Sequence, residues 1–397
     1  MNRRVLMKVI VQFLVVVIIT VLLSLLSSFL WRGDTEKIPQ RVSLVFADDM
    51  TVAAFGTANE LPNPVLKEVF GLSRTTDLEK PLASFGLTQT QITKRVEQSL
   101  ALAAESSAKD WVKIRIKFLL WFIFLGIIVV LMIRKRIGPG MRKLLYGIAV
   151  VVFGIALGSD PSPMGTVKDA VVLFGARHVV FWPRAIAFGI FFAMVLSANK
   201  FICAWGCQFG TIQDLIFRLN RDAKDRSGLL LQIKLPFVLT NAVRIVFFGA
   251  LTICAFMWAV DIVEPIDPFK LYKPAVLAWS GGIFVGAVLL SSLFIYRPWC
   301  HLFCPFGLIG WLGEKISVSK ITVNYDTCIA CEACAKACPS TVMGAILKRD
   351  RIIPDCFACA TCITTCPTNS ISWGLGSRAK PPHDKFKKRA HKERKSS

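Results

Sequence analysis

The stretch CIACEACAKACP (residues 328–339) and the stretch CFACATCITTCP (residues 356–367) decide the reading of this chain. Cys328, Cys331, Cys334 and Cys338 recur as Cys356, Cys359, Cys362 and Cys366, and a proline follows each fourth cysteine, at 339 and 367. C-x-x-C-x-x-C sets three thiolates on one short loop around a compact iron–sulfur cube, and the fourth thiolate comes from the other copy. On that pattern one [4Fe–4S] cluster takes Cys328, Cys331, Cys334 and Cys366, and a second takes Cys356, Cys359, Cys362 and Cys338. The proline turns the chain away and offers no backbone donor. Structural zinc prefers two well-separated C-x-x-C pairs, and disulfides are disfavoured where thiols are kept reduced. Small or apolar residues separate the cysteines, among them Ile329, Ala330, Ala333, Ala335, Ala337, Phe357, Ala358 and Ala360. Such a shell limits water and tunes the potential.

Outward from these loops the chain is apolar. Of 397 residues 54% are hydrophobic and 19% charged, yet the net charge is +22. That balance favours a membrane protein with basic cytoplasmic loops over a nucleic-acid binder. Six apolar stretches read as spans: 9–30, 116–133, 144–157, 185–204, 235–260 and 275–296. The first is too long for a secretory signal and lacks a cleavage site, so it reads as an uncleaved anchor. RKRIGPGMRK (residues 134–143) and the segment holding Arg218, Arg221, Lys224, Arg226 and Lys234 are basic. The opposite loops carry Asp160 and, further on, Asp261, Glu264 and Asp267. The alternation predicts both termini on the cytoplasmic side. Residues 163–183 are apolar but interrupted by Lys168, Asp169, Arg177 and His178, which predicts an interfacial or re-entrant segment.

The expected organisation is an N-terminal membrane anchor (1–30), a small helical extracytoplasmic domain (31–115), a transmembrane core (116–312), an α+β domain for the two clusters (313–376) and a basic, disordered tail (377–397). The outer segment has neither cysteine nor histidine, which points to docking or structure. The tail suits anionic lipid headgroups.

A second repeat lies in the core. FICAWGCQFGTI (residues 201–212) matches PWCHLFCPFGLI (residues 298–309) at Cys203/Cys300, Cys207/Cys304, Phe209/Phe306, Gly210/Gly307 and Ile212/Ile309. Each copy follows a span, and each preceding outer loop holds an Asp-Pro pair, so the core reads as a duplicated hairpin. On a continuing helix each C-x-x-x-C pair shares one face, and packed hairpins would bring Cys203, Cys207, Cys300 and Cys304 together at the inner membrane surface. A metal, a third cluster or a reversible redox pair would each fit. Neither pair is followed by the histidine that a c-type haem needs. Cys254, alone in a span, reads as packing, and His178 lacks the partner a b-type haem requires. Trp182, Arg184 and Lys200, near span ends, read as interfacial anchors.

Paired C-x-x-x-C motifs after membrane spans, followed by a double [4Fe–4S] motif, resemble the NapH/NosR-type membrane polyferredoxins over about residues 117–373. CHLFCPFG (residues 300–307) matches closely, and the first copy departs by carrying Gln208 where the family has proline. The outer segment is too small for the flavin domain of NosR-type members, and NapH is the nearer likeness, although the outer helical domain lies outside it. The resemblance implies a bacterial inner-membrane, multi-pass bacterial-type ferredoxin protein. It would link the quinone pool or cytoplasmic donors to a periplasmic redox pathway, as a subunit of a quinol-dehydrogenase-type system with redox partner subunits. The alternative is an assembly factor for a metalloenzyme, its C-x-x-x-C thiols binding or reducing copper. No acid/base or nucleophile constellation accompanies the cysteines. Clusters inside and a partner outside leave about 30 Å of hydrocarbon to be bridged.

Overall fold

The computed structural model describes residues 3–30, 44–47, 49–72, 74–348, 350–382 and 385–386. Most of the expected basic tail lies outside the described residues. Helix α1 (Arg3–Leu30) realises the first apolar run. Its Val11, Leu14, Val15, Ile18 and Leu22 side chains are exposed. A helix apolar on all sides satisfies its own backbone groups and is covered by lipid.

The segment after α1 builds its own core. Helices α2 (Val52–Ala58), α3 (Asn63–Phe70) and α4 (Gln89–Ser107) and two short 3-10 turns bury Val52, Phe55, Leu66, Val69, Phe70, Ile92 and Val96 against one another. Gly71 ends α3 in the left-handed conformation. Thr88 and Gln91 form a reciprocal capping box at the start of α4. This unit touches the rest through α4, where Glu97 pairs with Arg177 at 2.7 Å and Glu105 with Arg184 at 2.9 Å.

Helix α5 (Trp111–Ile133) begins where Asp110 accepts the amide protons of Val112 and Lys113 at 3.1 Å. Helix α6 (Pro139–Ala149) runs on through a wider π-type stretch, Val150–Ala156. Helix α7 (Pro163–Arg177) packs between α10 (Phe237–Trp258) and the last core helix. By length and composition four helices can cross a membrane among the described residues: α1, α5, the combined Pro139–Ala156 and α10. Two further apolar helices, α8 (Trp182–Ala198) and α11 (Trp279–Ser291), are shorter.

The expected span 185–204 stops at Ala198 because Asn199 turns the chain with φ 64°. The chain then re-enters the bundle. Ile202–Gly206 forms a π-type turn, and α9 (Gln208–Leu219) leads away from it. The second copy repeats this path with α12 (Pro298–Leu302) and α13 (Pro305–Ile316). The chain after α13 returns to the end of α8, where the Val318 amide donates to the Leu196 carbonyl at 2.8 Å.

Strands β1 (Ser319–Val323) and β2 (Ile371–Leu375) pair antiparallel, Ser319 opposite Leu375 and Val323 opposite Ile371. Between them lie α14 (Ala333–Ala337), α15 (Val342–Lys348) and α16 (Thr361–Thr365). The two-stranded sheet and short helices hold the cysteine loops, and their core is continuous with that of the membrane bundle.

Because the unit built from α2, α3 and α4 has a separate core, Phe55→Ala should cost about 3–5 kcal/mol there. The expected result in limited proteolysis is faster cleavage within residues 50–107 and unchanged cleavage within residues 319–375. Equal sensitisation of both segments would contradict two independent cores.

Candidate iron–sulfur sites

The structure gathers the eight C-terminal cysteines around two cavities. One is lined by Cys328, Cys331, Cys334 and Cys366, with Leu347 and Ile371 behind them. The other is lined by Cys338, Cys356, Cys359 and Cys362, with Tyr296, Ile321 and Met343. All are free thiols. The loops close through left-handed residues at matching places: Ala330 and Glu332 in the first copy, Ala358 and Ala360 in the second. L-residues take that conformation at a cost of about 1–2 kcal/mol each, which a loop wrapped round a cofactor can offset. Hydroxyls two residues on face three of the sulfurs: Ser340 to Cys338 at 3.7 Å, Thr361 to Cys359 at 3.4 Å and Thr368 to Cys366 at 3.6 Å. Among the described residues no group of His, Cys, Asp or Glu converges closely enough to hold a single metal ion. A four-iron cube, which spreads its thiolates further apart, fits the cavities better. Burial pushes the Cys334 thiol up to about 12, so a metal must displace its proton on binding.

The second loop is bolted to the membrane bundle. Asp355, one residue before Cys356, is fully buried, 3.1 Å from Lys200 Nζ and 2.8 Å from Arg244 Nη1. Burial alone would raise this carboxyl, but Lys200 and Arg244 outweigh it and hold it down at about 2. Glu314 accepts the Cys356 amide proton at 3.0 Å. Arg221 donates to the Ala337 carbonyl at 2.8 Å, Arg218 to Thr361 Oγ1 at 3.2 Å and Trp205 Nε1 to the Ala358 carbonyl at 3.3 Å. The Phe357 ring lies 4.9 Å from the Arg297 guanidinium and 5.0 Å from Lys200 Nζ. Asp225 accepts from Arg142 and Arg218 and sits 2.6 Å from Arg221 Nε, while Asp214 is 2.7 Å from both Arg218 and Arg297.

Lys200 and Arg184 are therefore not interfacial anchors. Lys200 is fully buried on Asp355 and the Gly307 carbonyl, and Arg184 pairs with Glu105 and Asp169. Trp182 is 72% exposed, as an anchor would be. Arg218 and Arg221, counted from the sequence among the basic cytoplasmic loops, are buried partners of carboxylates.

The C-x-x-x-C pairs also differ from expectation. Cys203 lies in the π-type turn and Cys207 caps α9 with extended backbone. Cys300 lies in α12 and Cys304 caps α13. The chain breaks within each pair, so neither shares a continuous helix face. The four thiols are nonetheless buried and within electrostatic reach of one another. They lie within the bundle instead of at its end. Trp121, near the middle of the 23-residue α5, donates to the Gly206 carbonyl at 3.0 Å. Gln208 donates to the Ser159 carbonyl at 2.7 Å, and Tyr272 Oη to the Gln208 carbonyl at 2.9 Å.

Above Ser159 an open cavity lies between α5, α7 and α8. Trp111, Ile114, Phe118 and Phe181 make its apolar wall, and Lys109, Asp160, Asp169 and Arg184 its polar one. Burial raises Asp160, but Lys109, Lys273 and Arg184 overcome this and hold the carboxyl well below the usual range.

Residues that the motifs did not single out carry this architecture: Asp214, Asp225, Arg244, Arg297 and Asp355. One signal was present. Lys200 and Arg297 each stand three residues before the first cysteine of a C-x-x-x-C pair.

Two family models described as "4Fe-4S binding domain" match the chain, one over residues 321–341 and the other twice, over residues 180–227 and 277–324. The chain is similar to the "Putative electron transport protein YccM" of Escherichia coli (strain K12), 32% identical over 38% of this chain and 44% of that protein. It is also similar to "Protein NirI" of Paracoccus denitrificans (strain Pd 1222), 28% identical over 52% of this chain and 31% of that protein. A third relative is "Uncharacterized protein MJ0749" of Methanocaldococcus jannaschii, 23% identical over 57% of this chain and 82% of that protein. The chain spans less than half the length of the first two relatives. No solved structure matches. The cysteine framework, the apolar helices and these matches make the chain a membrane protein of the iron–sulfur class. In these features it is similar to membrane 4Fe–4S polyferredoxins of the NapH/NirI type.

Asp355→Asn would leave Lys200 and Arg244 buried opposite a neutral amide. Losing one partner of such a group costs about 3–5 kcal/mol. The expected outcome is a lower temperature for loss of iron–sulfur absorbance in anaerobic melts, whereas Asp350→Asn, at an exposed position, leaves it unchanged.

Proposed function

We propose that this chain transfers electrons between its C-terminal clusters and the opposite side of the membrane, exchanging them with a quinone and a periplasmic redox pathway. The observation that carries the reading is the pair of cavities, each lined by three cysteines of one motif and the fourth of the other. One cluster takes Cys328, Cys331, Cys334 and Cys366. The other takes Cys356, Cys359, Cys362 and Cys338, and its loop is fastened to the membrane bundle through Asp355 and Phe357. The two form a short wire, with the Cys356 loop as the membrane end. Each step between clusters moves one electron and makes or breaks no bond.

The topology that suits this role has six spans: the four long helices with α8 and α11. Both termini and residues 313–376 are cytoplasmic, and residues 31–115 are extracytoplasmic. An acid cluster around the buried Lys168 in the loops proposed as outer supports this arrangement, with Lys168 meeting Asp261 at 2.9 Å, the half-exposed Glu264 at 3.3 Å and Asp267 at 3.4 Å. The cavity lined by Trp111, Phe118, Phe181, Asp160 and Arg184 has the aromatic wall and polar rim of a quinone site. A quinol oxidised there releases two electrons, taken up one at a time, and two protons, which leave to water through the open mouth of the cavity. The electron-transport name of one relative favours this reading over metal delivery.

Single cysteine variants test the wiring. Cys366→Ser should alter the same EPR signal of the dithionite-reduced protein as Cys328→Ser, and Cys338→Ser the same signal as Cys356→Ser. If Cys366→Ser instead matched Cys362→Ser, each motif would hold its own cluster and the interleaved ligation would be wrong.

A further inference from the structure

We propose that Cys203, Cys207, Cys300 and Cys304 ligate a third [4Fe–4S] cluster, held between the two core repeats in the middle of the membrane bundle. The inference rests on the reading above and supplies its missing step across the hydrocarbon.

The donor set fits such a group. Four buried thiols, two from each repeat, lie within electrostatic reach of one another. Donors face the sulfurs: the backbone amides of Phe209 and Gly210 reach Cys207, that of Gly307 reaches Cys304, and Gln213 Nε2 lies 3.6 Å from Cys300 Sγ. Amide-to-sulfur bonds of this kind stabilise iron-bound thiolate. The Trp299 indole N–H, beside Cys300, is buried with no acceptor among the described residues. Gly210 and Gly307 explain their place in the repeat. A Cβ on Gly210 would sit 2.8 Å from the Cys203 carbonyl oxygen, and one on Gly307 would sit 2.7 Å from that of Cys300. Each glycine lets its helix start close against the first cysteine of its pair, folding the two thiols of a repeat toward each other.

The charge around the site is compatible with the same group. Around the thiols and the Cys356 loop, six fully or almost fully buried cations stand against three buried carboxylates. The cations are Lys200, Arg142, Arg218, Arg221, Arg244 and Arg297, and the carboxylates are Asp214, Asp225 and Asp355. Glu314 nearby has its own partner in Arg378. An excess of buried positive charge requires compensation. A four-iron cluster with four thiolates carries about −2 in its oxidised state; the one on the Cys356 loop meets Arg218 and Arg221, while Lys200 and Arg297 are the cations that a cluster at the four thiols would also face. The cations reach the thiol site directly. Arg297 donates to the Cys203 carbonyl at 2.5 Å and to the Ala204 carbonyl at 2.8 Å, and Lys200 to the Gly307 carbonyl at 2.7 Å. Arg297 and Lys200 also face the ring of Phe357, the residue after Cys356, so the same two cations touch both this site and the Cys356 loop. The family model described as "4Fe-4S binding domain" covers each repeat separately, with two cysteines in each match.

The test is anaerobic iron and acid-labile sulfide analysis of the full-length protein, wild type beside Cys203→Ala/Cys300→Ala. The expected result is about twelve irons and twelve sulfides in wild type and about eight of each in the variant, with the EPR signals assigned to the C-terminal clusters unchanged. Wild-type content near eight would overturn the third cluster and leave the two C-terminal clusters standing. Content near eight with copper or zinc lost in the variant would also overturn it. Content well below eight would overturn the function reading itself. The wild-type measurement decides even if the variant does not fold.

Discussion

The buried contact of Asp355 with Lys200 and Arg244 is the joint on which this structure turns. Lys200 sits at the break after α8, Arg244 belongs to α10, and Asp355 immediately precedes a cluster cysteine. Three separate parts of the chain meet through full charges from which water is excluded. Such a contact is worth little as net stabilisation, because desolvation consumes most of the Coulomb attraction. Its value lies in specificity: a misplaced loop would strand charges in an apolar bundle. The C-terminal domain is thereby held in one register on the membrane core, and Phe357 is pressed against Arg297 and Lys200 instead of facing solvent.

That constraint explains why the two core repeats break where they do. A continuous helix from Trp182 onward would carry Lys200 past Asp355 and leave the thiols at the end of the bundle. The turn at Asn199 and the π-type segment that follows return Cys203 and Cys207 to the depth of Trp121, while Lys200 stays beside the cluster loop. In the second copy Arg297, with φ 47°, makes the corresponding turn before α12. One lysine and one arginine at equivalent places thus tie the two loops to their surroundings, Lys200 on Asp355 and Arg297 on Asp214.

Much of this was legible in the residues. The iron–sulfur motifs were readable because ligand spacing is local and few chemistries share it. The apolar runs gave helices, and the duplicated C-x-x-x-C pairs gave a meeting of thiols. The depth of that meeting was not legible. Hydropathy registers whether a segment is apolar and says nothing about a chain that enters, turns and leaves on the same side. The ion pairs were hidden for a related reason: Arg218 and Arg221 look like any basic loop until their carboxylates, Asp214 and Asp225, are seen to be buried with them. The left-handed residues of the cysteine loops are alanines and a glutamate, without a glycine to mark them.

The central claim is that one chain carries electrons from one side of the membrane to the other. The direct measurement uses the purified protein in quinone-free liposomes, with ferricyanide trapped inside and dithionite added outside. Ferricyanide should be reduced markedly faster than in empty liposomes, and the gain should disappear in Cys203→Ala/Cys300→Ala. A wild-type rate equal to that of empty liposomes, with the iron–sulfur signals intact, would contradict it.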